Sequence, residues 1–145
     1  MSNFVLSKEQ IKLNASVKNK SEAIALAGDL LVQGQYVTKE YIDKMQDREA
    51  LSTTYIGNGV AIPHGTNESK AFIKSSGISI VQIPEGVDFG GGNMAYLLIG
   101  IAGVGDEHLE MLSSIAIVCS EEENVKKLVQ ATRDEEVIAI LKGGL

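Results

Sequence analysis

From Met94 to Ala102 the chain reads Met-Ala-Tyr-Leu-Leu-Ile-Gly-Ile-Ala, with no charged side chain. Even extended to Gly105 this run is too short to cross a bilayer, which takes ~20 apolar residues in a helix. It fits a β-strand buried on both faces, because successive side chains of a strand point to opposite sides and here neither side is polar. Such a strand belongs at the centre of a sheet with helices on either face. The chain is therefore predicted to be an α/β sandwich.

The rest of the sequence supplies the covering layers. Ser21 is placed to cap a helix in which Ile24, Leu26, Ala27, Leu30 and Leu31 recur at helical spacing, with Gly34 ending it in the left-handed conformation. Thr38 is expected to cap a second helix running to about Ala50, with Tyr41, Ile42 and Met45 inward and Arg48 near its last turn. Asp106 opens a third, with Leu109, Leu112, Ile115, Ala116 and Cys119 as its apolar stripe and His108 in its first turn. Ser120-Glu121-Glu122-Glu123 fits a capping box for a fourth, carrying Val125, Leu128 and Val129 inward, and the acidic cluster suits a helix start. A last helix from about Asp134 carries Val137, Ile138 and Leu141 and ends at Gly143-Gly144.

Further strands are expected from alternation. Gly77 to Ile83 alternates as a strand that Pro84 should break. A turn or helical piece begun by Ser7, within Phe4 to Leu13, leads into a short strand at Ile11-Lys12-Leu13. Gly90-Gly91-Gly92 lies in a loop from Glu85 to Asn93; no Gly-Lys-Ser/Thr follows and no helix starts there, so it reads as a connection and not as a phosphate loop. The expected architecture is one domain over residues 1–145 with a mixed sheet of about five strands flanked by helices on both faces.

Chemistry concentrates in Tyr55-Ile56-Gly57-Asn58-Gly59-Val60-Ala61-Ile62-Pro63-His64-Gly65-Thr66. Asn58-Gly59 between two apolar runs predicts a tight antiparallel turn, since both residues tolerate positive φ. Val60-Ala61-Ile62 is then a strand, and Pro63, which has no N–H for a ladder, ends it. His64 emerges just past the sheet, where α/β proteins place functional groups, with Gly65 allowing close approach to its ring. A lone histidine in such a turn is by itself more often an ordinary loop residue.

Composition excludes several classes. With 13 Lys and Arg against 19 Asp and Glu, the formal charge is −6, which argues against nucleic acid, whose binding needs cationic side chains on phosphates. The acidic balance suits a basic protein partner. The single Cys119 has no intrachain partner and no neighbouring cysteine, which suits a reducing compartment and a packing role. Met1 to Leu6 lacks a basic segment followed by a long apolar one, so no signal peptide is expected. The chain reads as cytoplasmic, with no membrane insertion.

The stretch from Arg48 to Gly65, containing Arg48-Glu49-Ala50-Leu51-Ser52-Thr53-Thr54-Tyr55 and the Ile62-Pro63-His64-Gly65 turn, resembles the signature of the mannitol/fructose-type enzyme IIA family of the bacterial sugar phosphotransferase system. The resemblance extends to Gln82 through Gly90, to Leu98-Ile99-Gly100-Ile101-Ala102 and to Glu107-His108. It implies that His64 is the phosphoryl acceptor. It further implies that His108 lies beside it and orients and stabilises the phosphorylated ring, and that Arg48 contacts either the phosphate or a partner. The implied partners are the HPr phosphocarrier protein as donor and the enzyme IIB(C) component of a mannitol transporter as recipient, the membrane-spanning part being expected on a separate polypeptide. No cofactor and no metal is implied.

An imidazole with an ordinary pKa of about 6.5 is mostly neutral near pH 7, so one ring nitrogen has a lone pair for attack on phosphorus. It needs a fixed tautomer, in-line approach and donors for three phosphoryl oxygens. Backbone N–H groups of Gly65 and Thr66, the Thr66 hydroxyl and the planar fork of Arg48 are the candidate donors. His108, in the first turn of a helix, sits where amides and the helix dipole favour anions. Two alternatives stand beside a mannitol carrier: a fructose-type protein, and a regulatory nitrogen-type protein acting through other partners. The segments at Gln82 to Gly90 and Leu98 to Ala102 favour the mannitol type. A metal hydrolase built on His64 and His108 lacks a third ligand at recognisable spacing, and catalytic zinc normally takes three.

Overall fold

The computed structural model describes residues 6–144, with side chains for residues 6–142. Phe4 and Val5 of the expected N-terminal piece, and most of the stretch read for a signal peptide, lie outside the described residues. Five strands form one mixed sheet: β1 (Ile11–Lys12), β2 (Tyr55–Gly57), β3 (Val60–Ala61), β4 (Gly77–Asp88) and β5 (Met94–Ala102). Their order is β1-β4-β5-β3-β2, which puts the apolar run at the centre. β1 lies parallel to β4 and β3 parallel to β5, whereas β4–β5 and β2–β3 are antiparallel. Helices α1 (Lys20–Gln33), α2 (Glu40–Leu51), α3 (Glu107–Ser120), α4 (Glu122–Gln130) and α5 (Asp134–Gly144) cover it.

The two faces of β5 build two separate cores. Leu98 and Ala102 join Ile24, Ala27, Leu31, Tyr41 and Met45 of α1 and α2. Leu97, Ile99 and Ile101 join Met111, Ile115, Val118, Leu128, Val137 and Leu141 of α3, α4 and α5. Each fully buried Leu or Ile contributes about 1.5–3 kcal/mol, so nearly every residue of the strand helps hold both layers down. Gly100 brings α1 in close, since a Cβ there would meet Ser79 Oγ at 2.4 Å and Ala27 Cβ at 3.3 Å. That hydroxyl is itself tied to Ala27 C=O at 2.7 Å.

Several expected boundaries move. α1 is capped by Asn19, whose side chain accepts Glu22 N–H, and Ser21 falls inside the helix. Its left-handed terminal residue is Gln35 at φ 64, while Gly34 stays right-handed. Gly34 is small for a packing reason: a Cβ there would lie 2.6 Å from the Tyr36 ring. Thr38 does not cap α2 with its side chain; its carbonyl accepts Tyr41 N–H, and its hydroxyl is buried without a partner. Asp106 makes no side-chain cap on α3, and Ser120 donates to Ile117 C=O and forms no capping box. β4 continues past Pro84 because the β4–β5 ladder is irregular between Gln82 and Val87, where proline's missing N–H leaves no ladder bond unmade. The glycine run closes the β4–β5 hairpin, with Gly90, Gly91 and Gly92 all at positive φ. Among the described residues no helix is long and apolar enough to cross a membrane.

Candidate functional site

The hairpin and turn that lead to His64 are built as the residue types require. Asn58 and Gly59 take φ values of 54° and 77°, the doubly left-handed geometry of a tight hairpin. Asn58 Nδ2 donates to Cys119 C=O at 3.0 Å, and Gly59 N–H donates to the Tyr55 hydroxyl at 3.1 Å. β3 is thus held between β2 and β5. Past Pro63 the chain stays against the sheet: His64 makes an isolated parallel bridge with Ile101, and Ile101 N–H donates to Pro63 C=O at 2.9 Å.

The ring of His64 is buried, with 8% of the residue exposed. Its Nδ1 lies 2.8 Å from Ile62 C=O. A carbonyl oxygen only accepts, so Nδ1 carries the proton and the lone pair is on Nε2. Burial pushes the pKa of His64 below the ordinary imidazole value, opposed by the Ile62 carbonyl, reinforced by the Arg48 charge and opposed again by Glu49. His64 is therefore kept neutral, with one nitrogen free.

His108 stands beside it, ring centroids 5.2 Å apart and planes tilted by 57°. Gly103 makes this possible, since a Cβ at that position would fall 2.4 Å from the His108 Cα. Ser76 locks the approach, donating to Glu107 Oε1 at 2.6 Å and accepting Val104 N–H at 2.9 Å. Burial first, then the neighbouring His64 and Lys70, lower the His108 pKa.

Arg48 lines a cleft together with His64, Thr53, Thr54, Ile56 and Leu112. Its Nη1 is occupied, donating to Ser52 C=O at 2.8 Å and Ser52 Oγ at 3.2 Å. The Arg48 charge acts on His64, so the structure places Arg48 in one cleft with His64, and His108 against the His64 ring.

Gly65 differs from expectation. Its N–H donates to the Tyr41 hydroxyl at 2.8 Å and so is spoken for as a phosphoryl donor. It also permits a close approach of Tyr41 and Ser69: a Cβ would lie 2.5 Å from Tyr41 Cε1 and would run into Ser69 Oγ. Thr66 lines a second cleft with Asn67, Ser69, Lys70, Gly103, Asp106 and His108, and its carbonyl accepts Ser69 N–H and Oγ.

Three residues of the site received no role from sequence. Glu49 is buried, and its Oε1 accepts Thr54 N–H at 2.9 Å and Thr54 Oγ1–H at 2.6 Å, with Lys20 Nζ 3.5 Å from Oε2. Thr54 C=O in turn accepts Ile62 N–H at 3.0 Å, so this carboxylate fixes the strand that leads to His64. The signal was its spacing: Tyr41, Met45 and Glu49 follow at four-residue intervals on one helix face, and a carboxylate on an inward stripe needs a partner. Tyr41 was recognised as inward-facing, but nothing in the spacing pointed to its hydroxyl. Lys70 lines the His108 cleft from a short 3₁₀ helix (Asn67–Phe72), which has no apolar periodicity to announce it.

Among the described residues no group of three or more His, Cys, Asp or Glu could hold a metal ion. Residues 4–144 match the family described as phosphoenolpyruvate-dependent sugar phosphotransferase system, EIIA 2. The chain is 61% identical over 141 residues to the mannitol-specific phosphotransferase enzyme IIA component of Geobacillus stearothermophilus, covering 97% of each chain. It is 57% identical over 136 residues to the protein of that description in Bacillus subtilis (strain 168), covering 94% of this chain and 95% of that one. The fold superposes with a TM-score of 0.89, at 38% identity, on a chain of the Escherichia coli complex of enzyme IIAMTL and phosphorylated enzyme IIBMTL, covering 97% of this chain and 99% of that one.

Proposed function

Because the chain belongs to the phosphoenolpyruvate-dependent sugar phosphotransferase system EIIA 2 family, we propose that it is the mannitol-type phosphoryl carrier of that system. His64 accepts a phosphoryl group from phospho-HPr and passes it to the enzyme IIB component of a mannitol transporter, in the cytoplasm. The observation that carries the reading is the bond from His64 Nδ1 to Ile62 C=O. Nε2 attacks phosphorus as the donor's N–P bond breaks, and the Nδ1 proton stays on its carbonyl throughout. When the group moves on, the Nε2–P bond breaks and the leaving group is neutral imidazole, far better than an imidazolate. His108 donates to the phosphoryl oxygens from one side and Arg48 adds its charge from the other.

Exposed apolar residues rim this site, Val104 and Leu109 beside His108 and Ile56 beside Arg48. They suit successive protein partners, which cover apolar patches of this kind. The chain alone is expected not to bind mannitol, since among the described residues no exposed aromatic platform is offered to a sugar. With phosphoenolpyruvate, enzyme I and HPr it should take one acid-labile, alkali-stable phosphate and transfer it to a mannitol IIB. Deleting the gene should abolish mannitol uptake. Unchanged mannitol uptake with lost fructose uptake would overturn the assignment in favour of the fructose type, and no sugar phenotype would favour the regulatory reading.

Arg48 gives a finer test. Arg48→Lys keeps the charge but loses the planar fork that holds Ser52 with one arm. Losing a hydrogen bond to a charged group costs about 1.5–3 kcal/mol, so transfer at saturating donor should slow ~10–100-fold if the fork reaches the phosphoryl group. A change confined to the KM for one protein partner would instead place Arg48 in docking.

A further inference from the structure

We propose that Tyr41 is a positioning residue for phosphoryl transfer: its hydroxyl, held between Gly65 N–H and Ile101 C=O, spaces the acceptor strand from β5 just past His64 and so sets the separation of the His64 and His108 rings. The inference rests on the carrier reading given above.

Tyr41 is 1% exposed, in the first turn of α2. Its Oη donates to Ile101 C=O at 2.8 Å and accepts Gly65 N–H at 2.8 Å. These two groups are the ones a parallel ladder would join directly. Where residue 64 pairs with residue 101, the rung before it runs from Ile101 N–H to Pro63 C=O and is present at 2.9 Å. The rung after it would run from Gly65 N–H to Ile101 C=O. The hydroxyl sits in that rung, so the two strands are joined on one side of His64 and wedged apart on the other.

The wedge has visible consequences. Just beyond it lies the cleft of about 250 Å³ lined by Tyr41, Gly65, Thr66, Lys70, Gly103 and His108. Ile101 leads within two residues to Gly103, against which His108 is packed. The wedge therefore lies between the segment carrying one histidine and the segment seating the other. It also accounts for glycine at 65, where any side chain would run into the tyrosine ring. Burial raises the Tyr41 pKa to about 12, so the hydroxyl keeps its proton and both bonds across the working range. Tyr41 shares α2 with Arg48 and Glu49, so one rigid element carries the wedge, the cation and the anchor of Thr54.

Tyr41→Phe removes the wedge and leaves the ring. Gly65 N–H should then close onto Ile101 C=O, changing the distance between the two imidazoles. Phosphoryl transfer from His64 to IIB at saturating partner is expected to fall at least tenfold with KM unchanged. In a His108→Ala background the same substitution should change the rate less than twofold, because the spacing no longer has a second ring to serve. A tenfold fall in both backgrounds, or no fall in the wild-type background with folding intact, overturns the proposal. A structure of Tyr41→Phe is the independent arm: centroids still 5.2 Å apart, with water in place of the hydroxyl, also overturns it, whether or not wild-type protein accepts phosphate. Failure of wild-type protein to label at His64 would sink the carrier reading alone. If Tyr41→Phe does not fold, para-aminophenylalanine at position 41 is the second variant: its amino group fills the place of the hydroxyl, so the 5.2 Å ring separation and the transfer rate should be kept within twofold, and a tenfold fall at unchanged ring separation overturns the proposal.

Discussion

His64→Ala should fold and should accept no phosphate at all. Removing the ring leaves Ile62 C=O without its partner at 2.8 Å, a loss of about 1 kcal/mol that a two-layer core of this size absorbs. The chemistry has no substitute: His108 is packed against Gly103, and among the described residues no carbonyl holds its ring as Ile62 holds that of His64. Incubation with phosphoenolpyruvate, enzyme I and HPr, followed by acid and alkali treatment, decides the matter. Stoichiometric acid-labile label on His64→Ala would refute the assignment of the acceptor, and acid-stable label would point to an ester on Ser52, Thr53 or Thr66. In the wild type the labelling rate should stay level as pH falls through about 6.5 and decline only below it, because burial holds the His64 pKa under the ordinary value. Stability has the same sign. A histidine with a lowered folded pKa binds fewer protons than in the unfolded chain, so stability is full above about 6.5 and is lost as pH falls from there through the folded value.

His108→Ala should leave acceptance by His64 possible and slow onward transfer by ~10²–10³, the loss expected for one preorganised donor aimed at developing charge. The ring is 5.2 Å from that of His64 and held there by Gly103 and the Ser76–Glu107 bond. In the resting protein burial and the neighbouring His64 lower its pKa. A phosphoryl dianion on His64 reverses the local charge, so the His108 pKa should rise on phosphorylation. Rapid-quench transfer to IIB measures the first effect, and ring nitrogen resonances of His108 before and after phosphorylation measure the second. A rate within twofold of wild type together with an unmoved resonance would return His108 to a helix-start residue without a part in transfer.

Long-range features of the fold were legible because they rest on composition along a segment. Met94 to Ala102 could only be a central strand, and Asn58-Gly59 could only be a tight turn, since each follows from local sterics and burial. Helix termini were less legible, because several residues compete for each end. Asn19 took the cap expected of Ser21 by accepting Glu22 N–H, and Gln35 took the left-handed position expected of Gly34 once the Tyr36 ring had filled the space beside that glycine. On α3 the apolar stripe rotated: Met111, Ile115, Val118 and Cys119 are inside, while Leu109 is 67% exposed. That leucine lines the cleft beside His108, on the rim proposed to meet a protein partner. Within the site, His64, His108 and Arg48 were legible as residue types in a motif. The hydroxyl of Tyr41 and the carboxylate of Glu49 were not, because their roles depend on backbone groups brought to them by strands distant in sequence.

The acceptor is served from both sides of the sheet: Tyr41, Arg48 and Glu49 come from α2 on one face, and His108 from α3 on the other. Neither half of the molecule carries a usable site. With either layer undocked, His64 keeps the Ile62 carbonyl of its own turn but loses the Glu49 anchor of Thr54 on one face or its histidine neighbour on the other. Competence for transfer is therefore expected to track the docking of both layers, since each contributes side chains that the other cannot supply.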